Sequence, residues 1–128
     1  MLSRDQLLQA IPLAVERVDL PAFGDTVFVR ELTLGERDRF EEGILTKPAP
    51  DYRAELLVRS LCDENGKRLF TDGETGLFKD VGAAALQPAF ATAMRLSALR
   101  TSDLEELVKN WQGEPGDASS SDSPSGSG

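Results

Sequence analysis

Carboxylates are the only abundant reactive groups in this chain, which holds 22 Asp and Glu, one Cys and no His. Without His, the Ser/His/Asp and Cys/His relays of nucleophilic catalysis cannot be assembled. The usual Cys/His zinc sites fall with them. Acids alone can still act as a general acid and base pair, or hold a hard cation. Glu41-Glu42, Asp63-Glu64 and Glu105-Glu106 are adjacent pairs, but neighbouring acids on helices and turns are ordinarily solvated surface. The stretch DENGKRLFTDGE comes closer to a calcium-binding loop. Asp63 and Asn65 stand at its first and third positions, Phe70 at the eighth and Glu74 at the twelfth. Its fifth position, which needs an oxygen ligand, is Lys67, and its sixth, which needs Gly for the sharp turn, is Arg68. A turn capping two helices is the better account. No GxxxxGK[ST] or GxGxxG phosphate loop occurs. The sequence therefore predicts no catalytic residue, no metal site and no cofactor.

The elements that would position these residues can be read from spacing. From Val15 to Leu32 apolar and polar residues alternate, with Val18 and Leu20 on one side of the PAFGD turn and Val27, Val29 and Leu32 on the other. This predicts an antiparallel hairpin over about 15–32, Gly24 supplying the turn and Phe28 facing away from the apolar side. Four capping-box patterns, Ser3/Gln6, Thr33/Glu36, Thr71/Glu74 and Ser102/Glu105, mark helix starts. They predict helices over 4–10, 34–45, roughly 72–81 and 103–111. A helix over 51–61 carries Ala54, Leu57, Val58 and Leu61, and a long one carries Leu86, Phe90, Ala93 and Met94. Pro12 closes the first helix, Gly82 suits the end of the fourth, and Pro88 requires a first-turn position or a kink. Lys67 to Phe70 is a short extended piece, and Cys62 a small buried hydrophobe. The fold class is α+β and predominantly helical: a small N-terminal hairpin covered by four to five helices within a single domain, 1–111.

Residues 112–128 form a different kind of segment. Twelve of these seventeen are Ser, Gly or Pro, and the only charges are Glu114, Asp117 and Asp122. Such a composition cannot offset its ordering entropy, so an acidic disordered tail is expected. The net charge of -8, with basic residues scattered among acids, argues against a nucleic-acid partner. No apolar run approaches the ~20 residues of a membrane span, and Arg4, Asp5 and Gln6 interrupt any secretory leader.

Two apolar stripes could serve either the chain's own core or another protein. One is the Phe40/Ile44/Leu45 edge, with Arg37 on the same line; the other is Leu104/Leu107/Val108/Trp111. Packing on the chain's own core is the commoner use of such stripes. The second, short and beside a tail, is the easier to lift. Trp111→Ala is expected to weaken partner binding with little change in melting temperature.

The order VDLPAFGDTVFVREL, TLGER, RSLCDENGKRLFTDGE, a long Ala/Leu helix and the ending EELVKN resembles the tail assembly chaperones of long-tailed bacteriophages. The resemblance spans about Val15 to Asn110 and lies in arrangement rather than in one diagnostic motif. It implies a non-enzymatic morphogenesis factor that acts in the host cytoplasm, binds the tape measure protein, and promotes assembly of the tail tube protein. It also implies absence from the finished virion. In many such phages a frameshift yields a longer form, and the Gly/Ser/Pro tail lies where an extension would join. Self-association is left open. The alternatives are a small acidic DNA-mimic inhibitor, which would need carboxylates along a stripe undiluted by Lys and Arg, or a generic interaction adaptor.

Overall fold

Two strands, β1 (Val15–Leu20) and β2 (Asp25–Arg30), form the predicted hairpin, in antiparallel register with Val18 opposite Val27 and Val15 opposite Arg30. A single 3-10 turn over Pro21–Phe23 joins them, closed by Gly24 at φ 67, a left-handed conformation that glycine adopts without a Cβ penalty. The computed structural model describes residues 1–9, 11–46 and 51–109. The hairpin gains a third strand that sequence reading missed, β3 (Leu61–Cys62), which pairs antiparallel with β2 through Phe28 opposite Cys62. Two residues are too few for alternation to register. A bridge from Cys62 to Arg68 folds the following segment back on β3.

Helices α2 (Leu34–Thr46), α3 (Tyr52–Ser60), α4 (Ala83–Leu96) and α5 (Thr101–Lys109) enclose the sheet. Val18, Leu20, Val29 and Leu61 join Phe40, Ile44, Leu56, Leu57, Leu86, Phe90, Ala93, Leu99 and Leu104 in one buried cluster. Cys62 is buried, and that burial pushes its thiol above the usual thiol value. No helix of the described residues is long and apolar enough to cross a membrane.

Several boundaries differ from the sequence reading. α4 begins at Ala83, with Gly82 as its N-cap rather than the end of a preceding helix. Pro88 therefore sits in the second turn; the Ala84 carbonyl that loses its donor belongs to an exposed residue and can turn to water. The stretch expected as a two-turn helix from the Thr71/Glu74 capping box to near Gly82 does start at that box, but it is a 3-10 segment, Asp72–Phe78, where Phe78 packs on Phe70 with ring centroids 4.9 Å apart. α5 starts before Ser102. Its first N–H groups bond the Arg100 carbonyl, and the Asp103 carboxylate, not Glu105, accepts the Arg100 N–H at 2.9 Å. α4 closes with a paired arrangement, Leu99 N–H to Met94 C=O and Ala98 N–H to Arg95 C=O, which places Ala98 at φ 55. Buried Leu99 anchors that turn.

Candidate docking surfaces

The calcium-like loop is committed to backbone capping. One Asp63 carboxylate oxygen accepts the N–H groups of Asn65 (2.8 Å) and Lys67 (3.0 Å), while Gly66 takes φ 82. Glu74 accepts the Thr71 N–H at 2.7 Å. Both end carboxylates thus bond peptide groups, Asp63 closing the turn after β3 and Glu74 capping the start of the Asp72–Phe78 segment. Among the described residues no three Cys, Asp or Glu side chains are grouped to hold a metal ion.

The proposed docking stripes are placed differently from one another. Phe40 and Ile44 are fully buried and Leu104 is 2 % exposed, so all three belong to the chain's own core. Leu45 is half-buried, and Leu107 is partly buried against the same cluster. Trp111 lies outside the described residues, as does the side chain of Val108. Arg37 is held within the chain, its guanidinium donating to Glu41 at 3.1 Å and to the Ser97 carbonyl at 3.4 Å. Ser97 in turn accepts the Leu32 N–H at 2.9 Å, tying the end of α4 to the β2–α2 link.

Apolar surface that the core does not use lies at the other end of the chain. Helix α1 (Arg4–Leu8) forms as its capping box predicts. The Ser3 hydroxyl accepts the Gln6 N–H at 3.2 Å, and the Gln6 side chain accepts the Ser3 N–H at 2.9 Å. It stops at Leu8, two residues short of expectation, with Gln9 extended. No residue of α1 is buried: Leu7 and Leu8 are 67 % and 69 % exposed, and outside the helix Met1, Leu2 and Ile11 are exposed as well. Five residues of helix are marginal alone in water. Sequence reading did not single out Leu7, Leu8 and Ile11, because a short apolar run does not reveal whether the body provides a groove for it.

Running from the interior to the surface, the structure assembles an ion network with no sequence signal. Arg30 at the end of β2 donates to Glu36 at 2.5 Å, and the same Glu36 closes the Thr33 capping box. Arg68 lies 3.6 Å from Glu36 and donates to Asp72 at 2.7 Å. Asp72 also receives Arg39 at 2.8 Å, and Arg59 stands 3.4 Å away. Arg59, 4 % exposed, donates to both the carboxylate and the carbonyl of Glu55. Gly43 makes room for that carboxylate, since a Cβ there would lie 2.5 Å from Glu55 Oε1. Burial acts to raise the Asp72 pKa, but hydrogen bonds from Arg68 and Arg39 and the charge of Arg59 outweigh it, so the carboxyl is held below its ordinary value. The network binds α2, α3, β2 and the Asp72–Phe78 segment together, and its arginines come from four separate stretches.

No family model matches this chain, and no curated protein matches it either. Among solved structures, the fold is similar to that of the tail assembly chaperone of bacteriophage HK97, with a TM-score of 0.56 and 20% identity. The match covers 72% of this chain and 90% of the other. The arrangement-level resemblance in the sequence thus has a counterpart in three dimensions, and that counterpart is a likeness of fold.

Proposed function

We propose that this protein is a non-enzymatic tail assembly chaperone. In this reading it holds the tape measure protein in the host cytoplasm, promotes assembly of the tail tube protein around it, and stays out of the finished virion. The observation that carries the reading is the α1 arm, an ordered helix whose leucines face water while the body's own core is already filled. A factor that shields apolar helices of a long client needs surface of this kind. Burying Leu7, Leu8 and Ile11 against a client would contribute roughly 4–9 kcal/mol before association costs. That is enough for transient but specific capture.

The test is co-expression with a candidate tape measure protein, a long helical chain from the same genome. The expected result is a soluble complex that forms with the native chain and is lost with Leu7→Ser/Leu8→Ser, whose melting temperature matches the parent. A client that stays insoluble and unbound in the presence of the native chain would overturn the reading.

A further inference from the structure

A cavity of about 180 Å³ opens between the beginnings of α3 and α4, floored by Ala54, Leu57, Leu86 and Phe90 and walled by Phe78 and Val81. Two cations stand on its rim, in a chain whose net charge is -8. Arg53 lies over the Tyr52 and Phe90 rings at 5.0 and 5.7 Å, and Lys79 is exposed. Neither has an ion pair among the described residues, whereas Arg30, Arg37, Arg39, Arg59 and Arg68 are all paired within the fold. One oxygen of Asp51, on the same rim, accepts the Ala54 N–H at 3.3 Å, which leaves the second available.

Helix α5 heads for this end of the molecule. Arg37, in the first turn of α2, donates to the carbonyl of Ser97, next after α4, so α2 begins where α4 ends. α5 sets out from that corner along α2, with Asp103 and Leu107 beside Arg37 and Glu41. Its course leads toward the end where α3 and α4 begin. Trp111, outside the described residues, follows α5 by two positions, and after it come Glu114, Asp117 and Asp122 with no Lys or Arg.

We propose that Trp111 of the same chain fills this cavity, with the acidic residues after it drawn to Arg53 and Lys79. An indole needs apolar walls and an acceptor for its N–H, and the Asp51 carboxylate supplies that acceptor. Acids without a counter-charge of their own need cations that are still unpaired, and this rim carries two. Exposed ion pairs are individually weak, so the buried ring supplies the hold and the charges orient the tail. Tethering adds to both, because docking within one chain bears no association cost. So held, the tail shields an apolar slot of the chain's own surface. The inference goes beyond the chaperone reading, in which α1 rather than this cavity meets the client, and either can fail without the other.

Trp111 is the chain's sole tryptophan, so its fluorescence reports this contact in the full protein without a label. Its emission is expected to be blue-shifted from that of the denatured chain and shielded from acrylamide, a neutral quencher. Arg53→Glu/Lys79→Glu should move the emission most of the way to the denatured position while far-UV circular dichroism stays that of the parent. Lys79→Glu alone, at an exposed side chain outside the helices, should move it the same way by less, and rising salt should do likewise. Emission already at the denatured position in the parent would overturn the proposal. A blue shift indifferent to both substitutions would do so too, by placing the ring elsewhere. A shift that grows with protein concentration would assign the slot to a second copy and equally refute docking within one chain.

Discussion

Helices α1 and α5 sit near opposite ends of the described chain, are both short, and both carry two leucines, yet the fold treats them in opposite ways. α5 lies against α2 and sends Leu104 into the core, whereas α1 buries nothing. Local propensity does not explain the difference, since α1 has the complete capping box and α5 uses the simpler Arg100/Asp103 arrangement. What differs is the receiving surface. The turn after α4, fixed by Ala98 and buried Leu99, directs α5 back over the body. Gln9, next after α1, is extended, and no residue of α1 reaches the core. A helix becomes structural when its connection aims it at a groove, and remains available for a partner when it does not.

The largest test of this contrast is Leu104→Ala, which should cost about 2–5 kcal/mol by leaving a core cavity, read from chemical denaturation. Phe40→Ala should cost about 3–5 kcal/mol for the same reason. A cost below about 0.5 kcal/mol at Leu104 would return α5 to the list of lift-off elements. Asp72→Asn comes next, at about 2 kcal/mol, because Arg59 loses a partner inside the network while Asp72 itself is a third exposed. Its pH dependence has a definite sign. A carboxyl whose folded pKa is depressed contributes stability above its ordinary value near 3.8, and that contribution is lost as pH falls below it. Acid unfolding curves of the parent and the Asn variant should therefore converge as pH falls below that value. Ala98→Gly should stabilise the protein by about 1 kcal/mol, since glycine tolerates φ 55 without a Cβ penalty. A destabilised Gly variant would place that residue outside the left-handed region. The smallest effect on stability belongs to Leu7→Ser/Leu8→Ser, under about 0.5 kcal/mol, and a larger loss would mean that α1 packs on the body after all.

The legible part of the fold was its periodic part. Val18, Leu20 and Val29 alternate and are buried on one face of the hairpin, and Leu57, Leu86, Phe90 and Ala93 repeat at helical spacing and reach the core. Phe28 faces away from that side, as expected, and there it pairs with Cys62 of a strand too short to announce itself. Gly82 read as a helix end because glycine suits that position, but it serves equally at an N-cap. Of the candidate docking residues, Phe40, Ile44 and Leu104 were identified as apolar and helical, yet their partner is the chain itself. A stripe specifies that a face will be covered and leaves open what covers it.

Taken alone, the sequence determined the missing catalytic relay, the α+β class, the hairpin and three of the four capping boxes, all consequences of residue type and of separations within a few positions. Tertiary structure alone decided that Arg30, Arg39, Arg59 and Arg68 would gather around Glu36, Glu55 and Asp72, and that α5 would be buried while α1 stayed in water. Those outcomes depend on which surfaces the connections bring together. Charge pairing and apolar burial act through space, and nothing in the spacing of a single segment records what stands opposite it.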